Sequence, residues 1–188
     1  MQMHTGLFFA VYNAAMSQST VAGKDLYSMD KLMRETRQLA ARYRQTTGTS
    51  LPVTGEIARF DAAKALGLKL IDDTAAGFDA IGHQHWPDQR LVIKGRTLFE
   101  ESRNTTPKIG QINLQQEWEA VILVLFDDQY QPTEMYYASR HDIQTALERH
   151  TGKKKRGGMS VAQFKIIGDR VWTTENGSEL SVWDNQAG

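Results

Sequence analysis

The segment from Ala120 to Phe126 constrains the fold of this chain more than any other. It reads Ala-Val-Ile-Leu-Val-Leu-Phe, with no polar residue. Such a run has the length of a strand, and a strand that is apolar on both faces belongs at the centre of a sheet covered on both sides. The chain is therefore predicted to build a central sheet with helices packed against it.

Shorter patterns supply the other elements. Ser28 is a typical N-cap for an amphipathic helix that extends to about Tyr43, and Thr54 can cap a second helix that ends near Gly67. Alternating or apolar stretches predict strands at 68–71, 77–83, 90–97, 135–139 and 164–172, a helix at 141–150, and a loop over 99–113. Helices flanking a mixed sheet define an α/β or α+β fold with three layers.

Composition excludes several classes of protein. The chain has 188 residues, of which 40% are apolar, and this apolar content excludes a disordered chain. It has no cysteine, so a disulfide scaffold and a cysteine-zinc domain are also excluded. Its longest apolar stretch, residues 7–16, is shorter than the roughly 20 residues of a membrane span, and no basic residue precedes it as in a signal peptide. We expect an N-terminal extension over residues 1–27 and a single domain over residues 28–188, in the cytoplasm and without a membrane partner.

The net charge of zero conceals an uneven distribution. The 22 basic side chains balance the 22 acidic ones, yet the bases concentrate in residues 31–44 and 149–170, and the acids in residues 117–134. The second basic segment contains four consecutive cations: Lys153, Lys154, Lys155 and Arg156. Because a polyanion responds to the local potential, nucleic acid remains a candidate partner. The same four residues also fit a solvated loop.

Two neighbouring predicted strands contain the residues with the clearest catalytic potential. Asp79 lies in the stretch Gly-Phe-Asp-Ala-Ile-Gly, and Lys94 lies in the next predicted strand. A carboxylate can hold a divalent cation that neutralises a phosphate and lowers the pKa of a bound water, while a lysine orients that water. Together they indicate phosphodiester hydrolysis. Taken singly, Lys94 is more typical of an edge strand and Asp79 of a turn.

In context, these residues resemble the PD-(D/E)XK superfamily of nucleases, which has the restriction-endonuclease-like fold. The resemblance rests on Thr54-Gly55-Glu56-Ile57-Ala58, on Asp79 in its strand, and on Val92-Ile93-Lys94-Gly95-Arg96. It covers residues 28–173, about three quarters of the chain, which look like an uncharacterised bacterial domain family with that core. The resemblance implies a three-layer core with a mixed central β-sheet flanked by helices.

The resemblance also implies roles for individual residues. Asp79 and Glu56 would hold Mg²⁺ or Mn²⁺, and Lys94 would position the attacking water. The predicted contacts to DNA phosphates come from five cations, namely Arg96, Lys153, Lys154, Lys155 and Arg156. By itself, Glu56 is also typical of a first-turn acid stabilised by the helix dipole.

Val92 departs from the superfamily pattern. The superfamily places a second acid or a glutamine two residues before the lysine, and a valine cannot coordinate a metal. Either Glu56 supplies the missing carboxylate from the helix, or the metal binds too weakly for cleavage. Mg²⁺ needs only one or two protein carboxylates when waters and substrate complete its shell, so the substitution does not by itself exclude catalysis.

Three functions are therefore predicted. The first is a Mg²⁺-dependent deoxyribonuclease. The second is a cleavage-deficient relative that binds nucleic acid or a partner protein, which Val92 favours. The third is an assembly subunit, such as a homodimer, in which the acidic segment 117–134 docks on a basic patch of another copy.

Overall fold

The computed structural model of the chain describes residues 28–73, 75–100, 105–149 and 158–179. The chain divides into two compact units, residues 1–36 and residues 37–188. Of the first unit, the structure describes residues 28–36, where helix α1 (Met29–Thr47) begins. The backbone N–H of Lys31 donates to the Ser28 hydroxyl at 3.3 Å, which confirms the predicted N-cap.

Helix α1 continues beyond the predicted end at Tyr43. No residue that breaks helices occurs before Gly48, which adopts a left-handed φ of 73°. The hydroxyls of Thr46 and Thr47 donate to backbone carbonyls four residues earlier and so fit within the last turn. The predicted end of the helix was therefore one turn too early.

The second unit contains a mixed sheet and three further helices. The helices are α2 (Thr54–Leu66), α3 (Arg140–Arg149) and α4 (Val161–Ile167). The strands are β1 (Lys69–Leu70), β2 (Ala80–Ile81), β3 (Arg90–Thr97), β4 (Lys108–Gln111), β5 (Ala120–Phe126), β6 (Pro132–Ser139), β7 (Gly158–Ser160), β8 (Asp169–Thr173) and β9 (Gly177–Ser178). The chain is therefore a mixed α/β protein, as predicted.

Strand β5 lies in the interior of the main sheet, as its sequence predicts. The strand order is β1-β2-β3-β5-β6-β8-β9, in which β3 and β5 run parallel and the other neighbours run antiparallel. All seven residues of β5 are buried. Strands β4 and β7 form a separate two-stranded sheet.

Helices cover both faces of this strand. On one face, Val121 and Leu123 of β5 belong to a core that includes Ile143 of α3 and Phe164 of α4. On the other face, α2 packs against β3 and β5. Successive side chains of a strand point to opposite faces of the sheet. Because helices cover both faces, every side chain of β5 is buried.

The strand predicted over residues 164–172 was wrong. Residues Val161–Ile167 form helix α4, and the strand that follows, β8, spans Asp169–Thr173. A capping box begins the helix, since the Ser160 hydroxyl accepts from the Gln163 N–H and the Gln163 side chain accepts from the Ser160 N–H. Phe164 is buried and Ile166 is exposed, although an alternating pattern would place both on one strand face.

Other predicted bounds needed smaller corrections, including the strand predicted over 135–139, which begins at Pro132. The strand predicted over 77–83 is paired only at Ala80–Ile81, and the predicted loop 99–113 contains the short strand β4. Gly77 adopts a left-handed φ of 83°, a turn conformation that precludes a longer strand. Asp79 consequently lies just outside β2.

The charged segments are partly neutralised within the chain. Glu119 accepts hydrogen bonds from the side chain of Arg90, which hold the pKa of the Glu119 carboxyl below its usual value. Glu134 pairs with Lys165 at 2.7 Å. Some acids of segment 117–134 and some bases of segment 149–170 therefore satisfy each other locally. None of the helices in the described ranges is long and apolar enough to cross a membrane.

Candidate functional site

Asp79 lies beside β3, immediately before the first residue of its partner strand β2. Strand β2 pairs with Arg90 and Leu91 only, and the Asp79 N–H donates to the Leu91 carbonyl at 2.8 Å. One carboxylate oxygen of Asp79, Oδ2, accepts the Ile93 N–H at 2.7 Å. The Asp79 carboxylate thus accepts the N–H that a backbone carbonyl would accept if β2 were longer. This hydrogen bond fixes the orientation of the carboxylate.

Gly95 allows helix α2 to approach the same strand closely. A Cβ atom at this position would lie 2.6 Å from the Thr54 carbonyl oxygen and 2.8 Å from the Ala58 Cβ, both within α2. Any side chain would therefore push the helix away from β3. Since Glu56 lies between these two contacts, Gly95 also sets its distance from the strand.

Gly95→Ala is expected to destabilise the protein by about 1–3 kcal/mol because the added methyl group overpacks this contact. Gly55→Ala is the matched control, since a Cβ at Gly55 meets no atom within 4 Å and alanine favours a helix. Urea unfolding of both variants measures the difference. Equal free energies of unfolding for the two variants would show that α2 does not depend on the glycine.

Arg59 brings the two predicted acids to one point. Its Nη1 lies 3.4 Å from Oε2 of Glu56, and its Nε lies 3.5 Å from Oδ1 of Asp79. Its Nη2 donates to the Ile71 carbonyl at 2.8 Å. The guanidinium therefore occupies the space toward which both carboxylates are directed.

Exposure distinguishes the members of this cluster. The Glu56 side chain is 70% exposed, whereas those of Asp79 and Arg59 are 29% and 21% exposed. Glu56 can therefore rearrange freely, and Asp79 cannot. The sequence prediction omitted Arg59, although its spacing of three residues from Glu56 on a helix indicated an ion pair.

Lys94 and Val92 lie on the opposite side of β3 from α2. Val92 is 7% exposed and belongs to the core beneath α3 and α4. Lys94 is half-buried and follows Ile93, the residue whose N–H Asp79 accepts. Within the described ranges its ammonium forms no ion pair or hydrogen bond. Lys94 is thus a cation next to the strand residue that binds Asp79, on the face of β3 away from Glu56 and Arg59.

The other predicted site residues differ in what the structure says of them. Arg96 is exposed and lines a cavity beside β3. Lys153, Lys154, Lys155 and Arg156 lie outside the described residues.

No protein-family model matches the chain, and a search of curated proteins also finds no match.

Asp79 and Glu56 are the two candidate ligands for a divalent cation. In the described part of the chain, no group of three His, Cys, Asp or Glu side chains could hold a metal ion. Asp79 keeps Oδ1 outside its hydrogen bond with Ile93, and Glu56 contributes a second carboxylate. Two carboxylates fit Mg²⁺ when waters and substrate complete the shell. The fit requires the Arg59 guanidinium to leave the space between them.

Proposed function

We propose that the protein is a divalent-metal-dependent endonuclease that hydrolyses DNA phosphodiester bonds. The observation that supports this most is the convergence of Glu56 and Asp79 on a single cation, the Arg59 guanidinium. Carboxylates from helix α2 and from the residue before β2 meet there, and Lys94 follows Ile93, whose N–H the Asp79 carboxylate accepts. A cation held by carboxylates and a nearby lysine are groups that phosphodiester hydrolysis can use.

The order of the elements also favours a restriction-endonuclease-like core. Helix α2 is followed by the antiparallel strands β1, β2 and β3, and β5 then lies parallel to β3. The superfamily core has the same order of a helix, three strands and a further strand, and Glu56 lies on the helix that precedes the three strands. We include this core in the proposal.

Each residue has a role in the proposed site. Asp79 and Glu56 hold Mg²⁺ or Mn²⁺, which when bound neutralises the phosphate and acidifies a coordinated water. The hydrogen bond from Ile93 holds Oδ2 of Asp79 and leaves Oδ1 for the ion. Lys94 positions the attacking water or stabilises the developing charge with its ammonium.

Arg59 opposes metal binding in this proposal. A guanidinium and a divalent cation cannot occupy the same space between two carboxylates, and their like charges repel. We expect Arg59→Gln to bind Mn²⁺ on the order of tenfold more tightly than the wild type, which corresponds to about 1.4 kcal/mol. Isothermal titration calorimetry without DNA measures this affinity.

Two further variants complete the measurement. Asp79→Asn is expected to lose the calorimetric signal because the neutral amide is a weaker ligand for a hard cation. Arg42 is an exposed arginine on α1, outside the site. Arg42→Gln removes the same charge as Arg59→Gln and is expected to leave the Mn²⁺ affinity unchanged. Equal Mn²⁺ affinity in the wild type and Asp79→Asn would place the metal elsewhere.

The second candidate is a cleavage-deficient module of the same fold that binds nucleic acid or a partner protein. It is favoured by Val92, whose side chain is buried in the core where the superfamily has a second ligand. It is also favoured by Arg59, which already neutralises both acids without a metal. In this case Arg59 would be a permanent structural partner of Asp79.

A further inference from the structure

A polar cavity lies between the start of helix α2 and the end of strand β3. Its volume is about 300 Å³. It is lined by Arg44, Ser50, Thr54, Gly95, Arg96, Thr97 and Phe99. The two arginines are the charged residues of this lining, and Arg44 also lines an adjacent cavity with the acids Glu100 and Asp128. The residues that line the polar cavity therefore carry a net positive charge.

Thr97 contributes a hydroxyl that has no partner. The residue is 6% exposed, and its Oγ1 is buried without a hydrogen bond in the described structure. A buried polar group of this kind is costly unless it is satisfied. A ligand in the cavity with an acceptor oxygen would satisfy it after a rotation about χ1.

Helix α2 begins at the wall of this cavity. The helix begins after Val53, which provides no side-chain cap. Its thirteen residues give it the positive N-terminal end of a helix dipole, with backbone N–H groups that favour an anion. Thr54, the first residue of the helix, also lines the cavity.

Arg44 is already held in place at the wall of the cavity. Its guanidinium lies 3.5 Å from the centre of the Phe99 ring and donates to the Ser50 hydroxyl at 3.1 Å. An arginine fixed in this way loses little side-chain entropy when it binds an anion. Arg96 is exposed and can reach over the opening.

We propose that this cavity binds one phosphate group of a nucleic-acid strand. Arg44 and Arg96 supply the charge, Thr97 and Thr54 supply hydroxyls, and the first turn of α2 supplies backbone N–H groups. The anion site rests on the cavity alone, whereas the choice of a nucleic-acid phosphate rests on the proposed function. Thr97 lies four residues beyond Ile93, or about 13 Å along the strand, so the site would hold a different phosphate of the nucleic acid from the one at Asp79.

The test is fluorescence anisotropy of a short labelled single-stranded DNA with the full chain in EDTA, where metal-dependent cleavage does not contribute. Arg96→Gln is expected to weaken binding about tenfold and to reduce the slope of log affinity against log salt by about 1. Thr97→Val removes only the hydroxyl, and we expect about threefold weaker binding. Arg42→Gln is the control for charge alone, with a loss well below that of Arg96→Gln.

Stability separates the proposal from a structural role of Thr97. Because its hydroxyl lacks a partner, Thr97→Val is expected to raise the melting temperature while it weakens DNA binding. Inorganic phosphate is expected to displace the DNA better than chloride at equal ionic strength. The proposal is wrong if Thr97→Val binds DNA like the wild type, or if Arg96→Gln and Arg42→Gln lose affinity equally. DNA binding with these effects but without cleavage in Mg²⁺ would retain the phosphate site and reject the endonuclease.

Discussion

Replacement of Lys94 by methionine is expected to reduce DNA cleavage about a hundredfold or more, since removing one group that stabilises charge in a transition state has effects of this size. Methionine keeps an unbranched side chain at a half-buried strand position and removes only the ammonium. The rate of nicking of supercoiled plasmid in Mg²⁺ measures the effect. Lys108→Met is the control because Lys108 is exposed on strand β4, outside the site.

The role of Lys94 also predicts what the variant retains. Lys94 is not a ligand in the proposed site, so Lys94→Met is expected to bind Mn²⁺ at least as tightly as the wild type. Unchanged nicking by Lys94→Met would show that the site is wrongly assigned. Loss of both nicking and Mn²⁺ binding would instead indicate a lysine that supports the fold of the site.

The second large effect is expected at the buried ion pair of Arg37 and Asp61. Arg37 donates to both carboxylate oxygens of Asp61, and its Nη1 also donates to the Tyr130 carbonyl at 2.6 Å. The two side chains are only 9% and 8% exposed. Arg37→Met would leave a carboxylate buried without its partner, and we expect a loss of about 3–5 kcal/mol in the free energy of unfolding.

A double variant distinguishes the lost pair from lost packing. Arg37→Met with Asp61→Leu removes both charges, and we expect it to recover part of the stability that the single variant loses. Urea unfolding curves of the wild type, both single variants and the double variant give the coupling energy. A cost of less than about 1 kcal/mol for Arg37→Met would contradict the prediction, because it is the size expected of a surface ion pair.

The strands that the sequence predicted best are those whose pattern follows from burial. The apolar run of β5 and the alternation of β3 led to correct boundaries at both strands, because each strand reports its own surroundings. The segment 164–172 was misassigned because Ser160 and Gln163 form a capping box outside the stretch that was considered. Local hydrophobicity alone did not contain that information.

The site was predictable in its acids but not in its geometry. The motif that resembles the nuclease superfamily pointed to Asp79 and Glu56 as the acids of the site, and in the structure both lie against the Arg59 guanidinium. The hydrogen bond from the Ile93 N–H to Asp79 depends on β2 beginning at Ala80, and the position of Glu56 depends on the contact between Gly95 and Thr54. These contacts join residues that are far apart in the sequence, so no local pattern reveals them.

In the proposed function, Asp79 and Glu56 support metal-dependent cleavage without a carboxylate at position 92. The test is incubation of the wild-type protein with supercoiled plasmid and Mg²⁺ or Mn²⁺, beside Asp79→Asn and a sample with EDTA. We expect nicked and linear plasmid with the wild type, and neither product with Asp79→Asn or with EDTA. If the wild type leaves the plasmid intact in both metals yet retards it in a gel with steep salt dependence, the endonuclease is contradicted and the cleavage-deficient module remains.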